Sequence, residues 1–250
     1  MNDIDKITNT LKTLTIDEKK IIKIQKWFRG NILRLKMMPL ILYKIKKHLE
    51  INKIVFSNIN EDGRINSSSD EDNIIISLVK KFKDKIKKPK IRMWYDILAH
   101  DFYYGWIPIN IKTTTTLTSD NVGNLAICVY AYTDYILDLH QNKTYENGKM
   151  SVILFDKLKN KQYNKNNKKD YYFLVLNKNM SGEIIVNSVK GLSNLSPNVN
   201  NLPFQIIWNK NKNFKYEKIN IKIKKFIECL QKPKPSWKEK FMADIKTLNL

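Results

Sequence analysis

Asp96, Asn110 and Lys112 are polar residues in an apolar, aromatic and β-branched neighbourhood, at a spacing that would gather them. The runs Trp94 to Ala99 and Trp106 to Thr113, joined by His100 to Gly105, predict an antiparallel hairpin. Side chains alternate along a strand, so Asn110 and Lys112 share a face, and Asp96 on the neighbouring strand is close enough to join them. Such a group suits hydrolysis of a phosphodiester. A divalent cation held by oxygen ligands such as Asp96 would stabilise charge on the phosphate and acidify an attacking water. A nearby lysine could position or deprotonate that water and offset developing negative charge. Taken singly, Asp96 or Lys112 reads better as an ordinary hairpin residue paired with a surface charge.

The stretch Tyr95-Asp96-Ile97-Leu98, a turn, and then Ile107-Pro108-Ile109-Asn110-Ile111-Lys112-Thr113-Thr114 resembles the PD-(D/E)XK signature of restriction endonucleases. Further stretches at Thr118 to Asn124, Tyr171 to Asn177, Asn187 to Leu192 and Asn201 to Asn209 are similar to type II restriction enzymes of the NgoBV/NlaIV kind. The resemblance covers roughly Arg92 to Asn213, about half the chain. It implies Mg²⁺-dependent cutting of double-stranded DNA at a short specific sequence. The metal would lie at Asp96 and Asn110, and Lys112 would act on the water. It also implies a homodimer on palindromic sites, where protein symmetry matches DNA symmetry, and a cognate DNA methyltransferase. The residue two before the lysine is usually Asp or Glu in that pattern, whereas here it is Asn110. An amide oxygen can ligate a hard cation but brings no charge, so another carboxylate should compensate. Glu50, Asp101 and Asp120 are candidates, and spacing does not choose among them. The alternative is a non-catalytic DNA-binding or calmodulin-binding protein on a degenerate nuclease scaffold.

Around this hairpin the pattern predicts helices first, a mostly β block, then helices again. That order fits an α/β (α+β) domain, a restriction-endonuclease-like core with a central mixed β-sheet flanked by helices. Thr15 to Glu18 reads as a capping box before Ile21, Ile24, Phe28, Ile32 and Leu35, one helical face. A second helix is expected over Leu40 to Leu49, giving an N-terminal helical segment over 1–56. Residues 57–73, with Gly, Ser and acidic residues, read as an exposed loop before the catalytic and recognition domain at 74–250. Ile74 to Lys88 reads as an amphipathic helix running into a basic turn. Ser119 and Asp120 could cap a helix through Tyr132, although Ala126 to Tyr132 could instead be a strand. Met150 to Leu158, Ile219 to Leu230 and Trp237 to Leu248 read as helices, and Tyr171 to Leu176, Glu183 to Val189 and Phe204 to Trp208 as strands.

Sequence reading needs side chains that hydrogen-bond base edges while lysines hold phosphates. Lys190, Asn198, Asn201, Gln205, Asn209 and Lys210, interleaved with Phe204 and Trp208, suit that task. The lysines from Lys80 to Arg92 suit sequence-independent phosphate contacts. In the first helix, Ile24-Gln25, Arg29-Gly30 and Arg34 resemble an IQ motif, which implies a calmodulin-like protein as a possible partner at 24–34.

Composition agrees with a polyanionic partner. Lys+Arg 45 against Asp+Glu 24 gives a formal charge of +21, which repels itself until neutralised. Five Trp and 12 Tyr provide core material that a disordered basic tail lacks. Cys128 and Cys229 are the only cysteines and three histidines complete the soft ligands, so zinc sites and disulfide frameworks are not expected. The start of the chain has no basic and apolar leader pattern, and no run approaches the length of a membrane span, which predicts a soluble, intracellular protein with no membrane partner.

Overall fold

The computed structural model of the protein describes residues 20, 21, 23, 38–56, 63–90, 93–122, 124–141, 144–179, 182–198, 203–231 and 245–247, with backbone alone at 63–66. The chain divides into two compact units, Met1–Met38 and Pro39–Leu250. In the first, Lys20, Ile21 and Lys23 are helical; the IQ-like positions 24–34 lie outside the described residues. The helical segment expected over 1–56 is therefore divided, because its second helix belongs with the larger unit.

That larger unit opens with α1 (Leu40–Ile51), whose Ile41, Leu42, Ile45 and Leu49 recur at three- and four-residue spacing and are all buried. Helix α2 follows (Gly63–Phe82), and a single 3-10 turn leads to β1 (Ile86–Lys87). Strands β2 (Ile97–Asp101) and β3 (Gly105–Thr114) form the hairpin, turning at Phe102 to Tyr104 into Gly105 with φ +72°. That left-handed backbone is one a β-carbon would disfavour. Next come β4 (Ser119–Asn121), α3 (Leu125–Tyr132) and α4 (Asn147–Lys159). Strands β5 (Tyr172–Asn177), β6 (Ile184–Ser188) and β7 (Gln205–Ile207) precede α5 (Ile219–Leu230).

One mixed sheet has the order β1-β2-β3-β5-β6. Its first three strands are an antiparallel meander, β5 runs parallel to β3, and β6 is antiparallel to β5. A parallel neighbour requires a crossover, here supplied by the segment carrying α3 and α4. Strand β5 is buried on both faces along all six residues, as a strand between covering layers must be. Its Phe173 meets Trp208 and Tyr171, while Tyr132 of α3 packs on Phe226 of α5. The α5 residues Ile223, Phe226, Ile227 and Leu230 recur at helical spacing and are buried. Cys128 and Cys229 are free thiols in this apolar core. No helix among the described residues is long and apolar enough to cross a membrane.

Two local expectations are corrected. Residues 63–73, expected as exposed loop, form the first half of α2, because the side chains of Ser67, Asp70 and Glu71 find partners at the sheet instead of water. Asp70 is fully buried in an ion pair with Lys178 at 2.9 Å, and the Ser67 hydroxyl donates to the Thr113 carbonyl at 3.3 Å. Ser119 and Asp120 do not cap a helix. They pair as β4 with β7, and the cap passes to Asn124, whose Oδ1 accepts from the Ala126 amide at 2.8 Å. The strand alternative for Ala126 to Tyr132 is thereby resolved as helix. Of the helix expected over Trp237 to Leu248, only 245–247 are described, with Ile245 and Lys246 helical.

Close packing after β6 makes one stability prediction. A β-carbon at Gly191 would lie 2.3 Å from the Phe214 ring and 2.4 Å from Asn187 Oδ1. The Asn187 amide is already committed to the Asn211 carbonyl at 2.7 Å, so it cannot swing aside without loss. Gly191→Ala should cost on the order of 1–3 kcal/mol by overpacking, read as a lower urea midpoint. An unchanged midpoint would show that this turn repacks freely.

Candidate active site

The hairpin register places Ile97 opposite Ile109, which brings Asp96, the residue just before β2, beside Asn110. The Asp96 amide donates to the Ile109 carbonyl at 3.0 Å, extending the ladder by one bond. Its carboxylate oxygen Oδ2 accepts from the Ile111 amide at 2.7 Å and from Asn110 Nδ2 at 2.8 Å. Along β3 the half-buried Asn110 and Lys112 alternate with the fully buried Ile109 and Ile111. Asp96, Asn110 and Lys112 thus open onto one cleft of about 780 Å³. The strand geometry joins all three residues expected there.

A fourth residue was not expected. Glu71, on α2, lines the same cleft, and its Oε1 accepts from the Thr113 amide at 3.2 Å. Burial pushes its carboxyl up to about 7, and the negative charges of Asp96 and Asp120 push the same way against the attraction of Lys112 and the Thr113 amide. The signal that could have found it is helical period. Glu71 precedes Ile74, Ile75 and Leu78 by three, four and seven residues, which puts a carboxylate on the sheet-facing stripe. The serine and aspartate content around it masked that period.

The candidate compensating carboxylates separate clearly. Asp120 is half-buried on β4 and accepts from the Trp208 indole N–H. Burial raises its pKa, while the Trp208 bond, the Lys112 charge and a Thr114 hydrogen bond oppose the rise. Its link to Lys112 and to Glu71 keeps it within the electrostatics of the cleft. Asp101 does not join the site: it is at the other end of β2, buried, accepting the amides of Ile41 at 2.9 Å, Tyr103 at 2.8 Å and Tyr104 at 3.1 Å. Those bonds make it a fastener between α1 and the hairpin turn. Glu50 is exposed on α1, 3.8 Å from Lys46. Among the described residues, no three carboxylate, imidazole or thiol side chains converge tightly enough to cage a cation by themselves.

The expected base-reading residues also divide. Lys190 is occupied within the fold, its ammonium donating to the carbonyls of Asn164 at 3.4 Å and Asn166 at 3.0 Å. Burial pulls its pKa down to about 8 despite the Asp170 charge. Asn198 is buried and donates to Asn121 Oδ1 at 2.8 Å. Gln205 is half-buried on β7, and Asn209 and Lys210 are exposed just beyond it. Asn201 lies outside the described residues. Lys80, Lys81, Lys83, Lys85, Lys87, Lys88 and Lys90 are exposed, and the last two reach the cleft wall.

No protein-family model matches the chain, and neither the curated proteins nor the solved structures yield a match to it.

Proposed function

We propose that this protein is a Mg²⁺-dependent endonuclease of the PD-(D/E)XK kind, a type II site-specific deoxyribonuclease acting on double-stranded DNA. The observation that carries this reading is the convergence of Asp96, Asn110 and Lys112 from two adjacent strands and Glu71 from a helix on one cleft. The β1-β2-β3 meander, followed through a helical crossover by β5 parallel to β3, supports a restriction-endonuclease-like core.

The donor chemistry of the cleft fits a hard cation. Two carboxylates, Asp96 and Glu71, and the Asn110 amide oxygen are all-oxygen ligands, and Mg²⁺ is commonly held by one or two carboxylates with water completing the shell. Glu71 carries a carboxyl whose ionisation is opposed by burial and neighbouring anions, the state a cation would relieve. Glu71 and Asp120 supply the acidic character that Asn110 lacks. When bound, Mg²⁺ would neutralise charge on the scissile phosphate and favour ionisation of the attacking water.

The protein's own groups have separable tasks. Asn110, through its amide N–H, and Ile111, through its backbone, hold the Asp96 carboxylate in orientation. Lys112, as an ammonium, donates to the water or the phosphate and offsets negative charge as it builds. Trp208 holds Asp120 through its indole N–H, within the field of Lys112. The exposed lysines between Lys80 and Lys90 bring the backbone of the duplex to the cleft by charge. Homodimerisation on a two-fold site and protection of the host by a DNA methyltransferase are proposed with this function. A calmodulin-like partner at 24–34 is proposed as accessory to it.

The test is digestion of plasmid DNA by the purified protein with and without Mg²⁺. Discrete, reproducible fragments that depend on the cation are the expected result. Binding without cutting would favour the non-catalytic scaffold, and neither binding nor cutting would sink both.

A further inference from the structure

Strand β4 tucks its middle residue in and leaves its flanking residues outward: Asp120 is half-buried, while Ser119 and Asn121 are exposed. Asn121 is directly opposite Gln205 in the two-stranded β4-β7 ribbon. Its Oδ1 accepts from Gln205 Nε2 at 3.0 Å and from the buried Asn198 Nδ2 at 2.8 Å. The carbonyl of Asn121 is therefore spent within the ribbon. What the ribbon leaves uncommitted is the NH₂ of the exposed Asn121, a donor, and the Oε1 of the half-buried Gln205, an acceptor. Reversing all three amides together exchanges the two roles but leaves one donor beside one acceptor.

We propose that the Asn121–Gln205 pair on this ribbon reads an adenine from the major groove; this rests on the nuclease reading above. A two-stranded β-ribbon is one of the elements that the major groove admits. Adenine alone offers there an acceptor, N7, beside a donor, the N6 amino group, which matches the donor and acceptor of the pair. Guanine offers two acceptors at N7 and O6, and one of them would face a carbonyl. Cytosine offers an amino donor, and thymine an acceptor and a methyl group. Asn198, 6% exposed, ties the Asn121 amide into a hydrogen-bonded trio with Gln205, so the pair is organised before DNA arrives. Asn121 thus becomes a specificity-determining residue, with Gln205 as its partner and Asn198 as a positioning residue.

The experiment is sequencing of cut ends after digestion of random-sequence duplex DNA in Mg²⁺ by the full-length protein, Asn121→Leu and Gln205→Leu. The expected result is a defined motif for the unaltered protein and loss of preference at one A·T pair of each half-site in both variants, by about 5- to 150-fold, with the other positions retained. A second arm changes the DNA instead of the protein, placing 7-deazaadenine at each adenine of the motif; one position in each half-site should lose cutting by the same factor. Relaxation at a G·C pair, insensitivity to every 7-deazaadenine, or variants with an unaltered motif would overturn the adenine assignment. Should the unaltered protein yield cut ends without any motif, or no cut ends, the nuclease reading itself fails, a result distinct from failure of the ribbon alone.

Discussion

Lys112→Ala should lower the rate of DNA cleavage by about 10²- to 10⁴-fold while leaving duplex affinity within a few-fold of the original. Its side chain is one of several cations available for docking, since seven exposed lysines lie between Lys80 and Lys90. It is the lysine of the Asn110-Ile111-Lys112 strand end, on the same face as Asn110 and under the field of Glu71 and Asp120. An interaction made chiefly in the transition state lowers turnover and spares binding. Asp96→Ala should behave similarly, and it also frees the Asn110 and Ile111 donors, so its thermal stability should be measured beside its rate. The measurements are single-turnover cleavage and gel-shift affinity on one duplex. Full cutting by Lys112→Ala would remove the proposed catalytic centre.

Glu71→Gln should weaken the metal requirement's dependence on pH and raise the stability of the metal-free protein above neutrality. The Glu71 carboxyl titrates at about 7, so below that pH a proton occupies the group proposed to face the cation. Half-saturating Mg²⁺ for cleavage should therefore rise about tenfold for each pH unit below 7 in the original protein, because one proton competes with one cation. In Glu71→Gln that slope should vanish, and saturation should need much more Mg²⁺ at every pH. The stability effect has the opposite sign. Glu71 sits at about 7 in the folded protein against an ordinary 4.5, so between those values the native state binds more proton than the unfolded state. Stability must then fall as pH rises through that window, by at most about 3 kcal/mol. Glutamine cannot ionise and escapes the penalty. Melting temperatures without metal should match at pH 4 and favour Glu71→Gln by several degrees at pH 8. A variant with unchanged Mg²⁺ titration and melting profiles would place Glu71 outside the site.

The hairpin was legible because its chemistry is local. Alternation along β3 and the short distance from Asp96 to Asn110 put both side chains and Lys112 on one cleft by strand geometry, and the register that pairs Ile97 with Ile109 came from the structure. Helices α1 and α5 were equally plain, since each buries a regular apolar stripe. The mixed sheet flanked by helices could be read from the order of the runs, though not which strands would be neighbours.

The tertiary structure decided the rest, through partners far away in sequence. Residues 63–73 look like loop because Ser, Asp and Glu usually seek water; here the β3 backbone and Lys178 satisfy Ser67, Glu71 and Asp70, and a helix carries Glu71 into the cleft. Nothing near Asp101 or Asp120 distinguishes them as carboxylates. Asp101 is spent on three amides at one end of β2, while β4-β7 pairing and the Trp208 indole hold Asp120 within the field of Lys112. Lys190 and Asn198 have the composition of a reading surface, yet the fold uses their hydrogen bonds internally. Residue type and short-range period determined which groups could act here; long-range burial and pairing decided which of them face the cleft, because a polar side chain is available only where the fold has left its hydrogen bonds unspent.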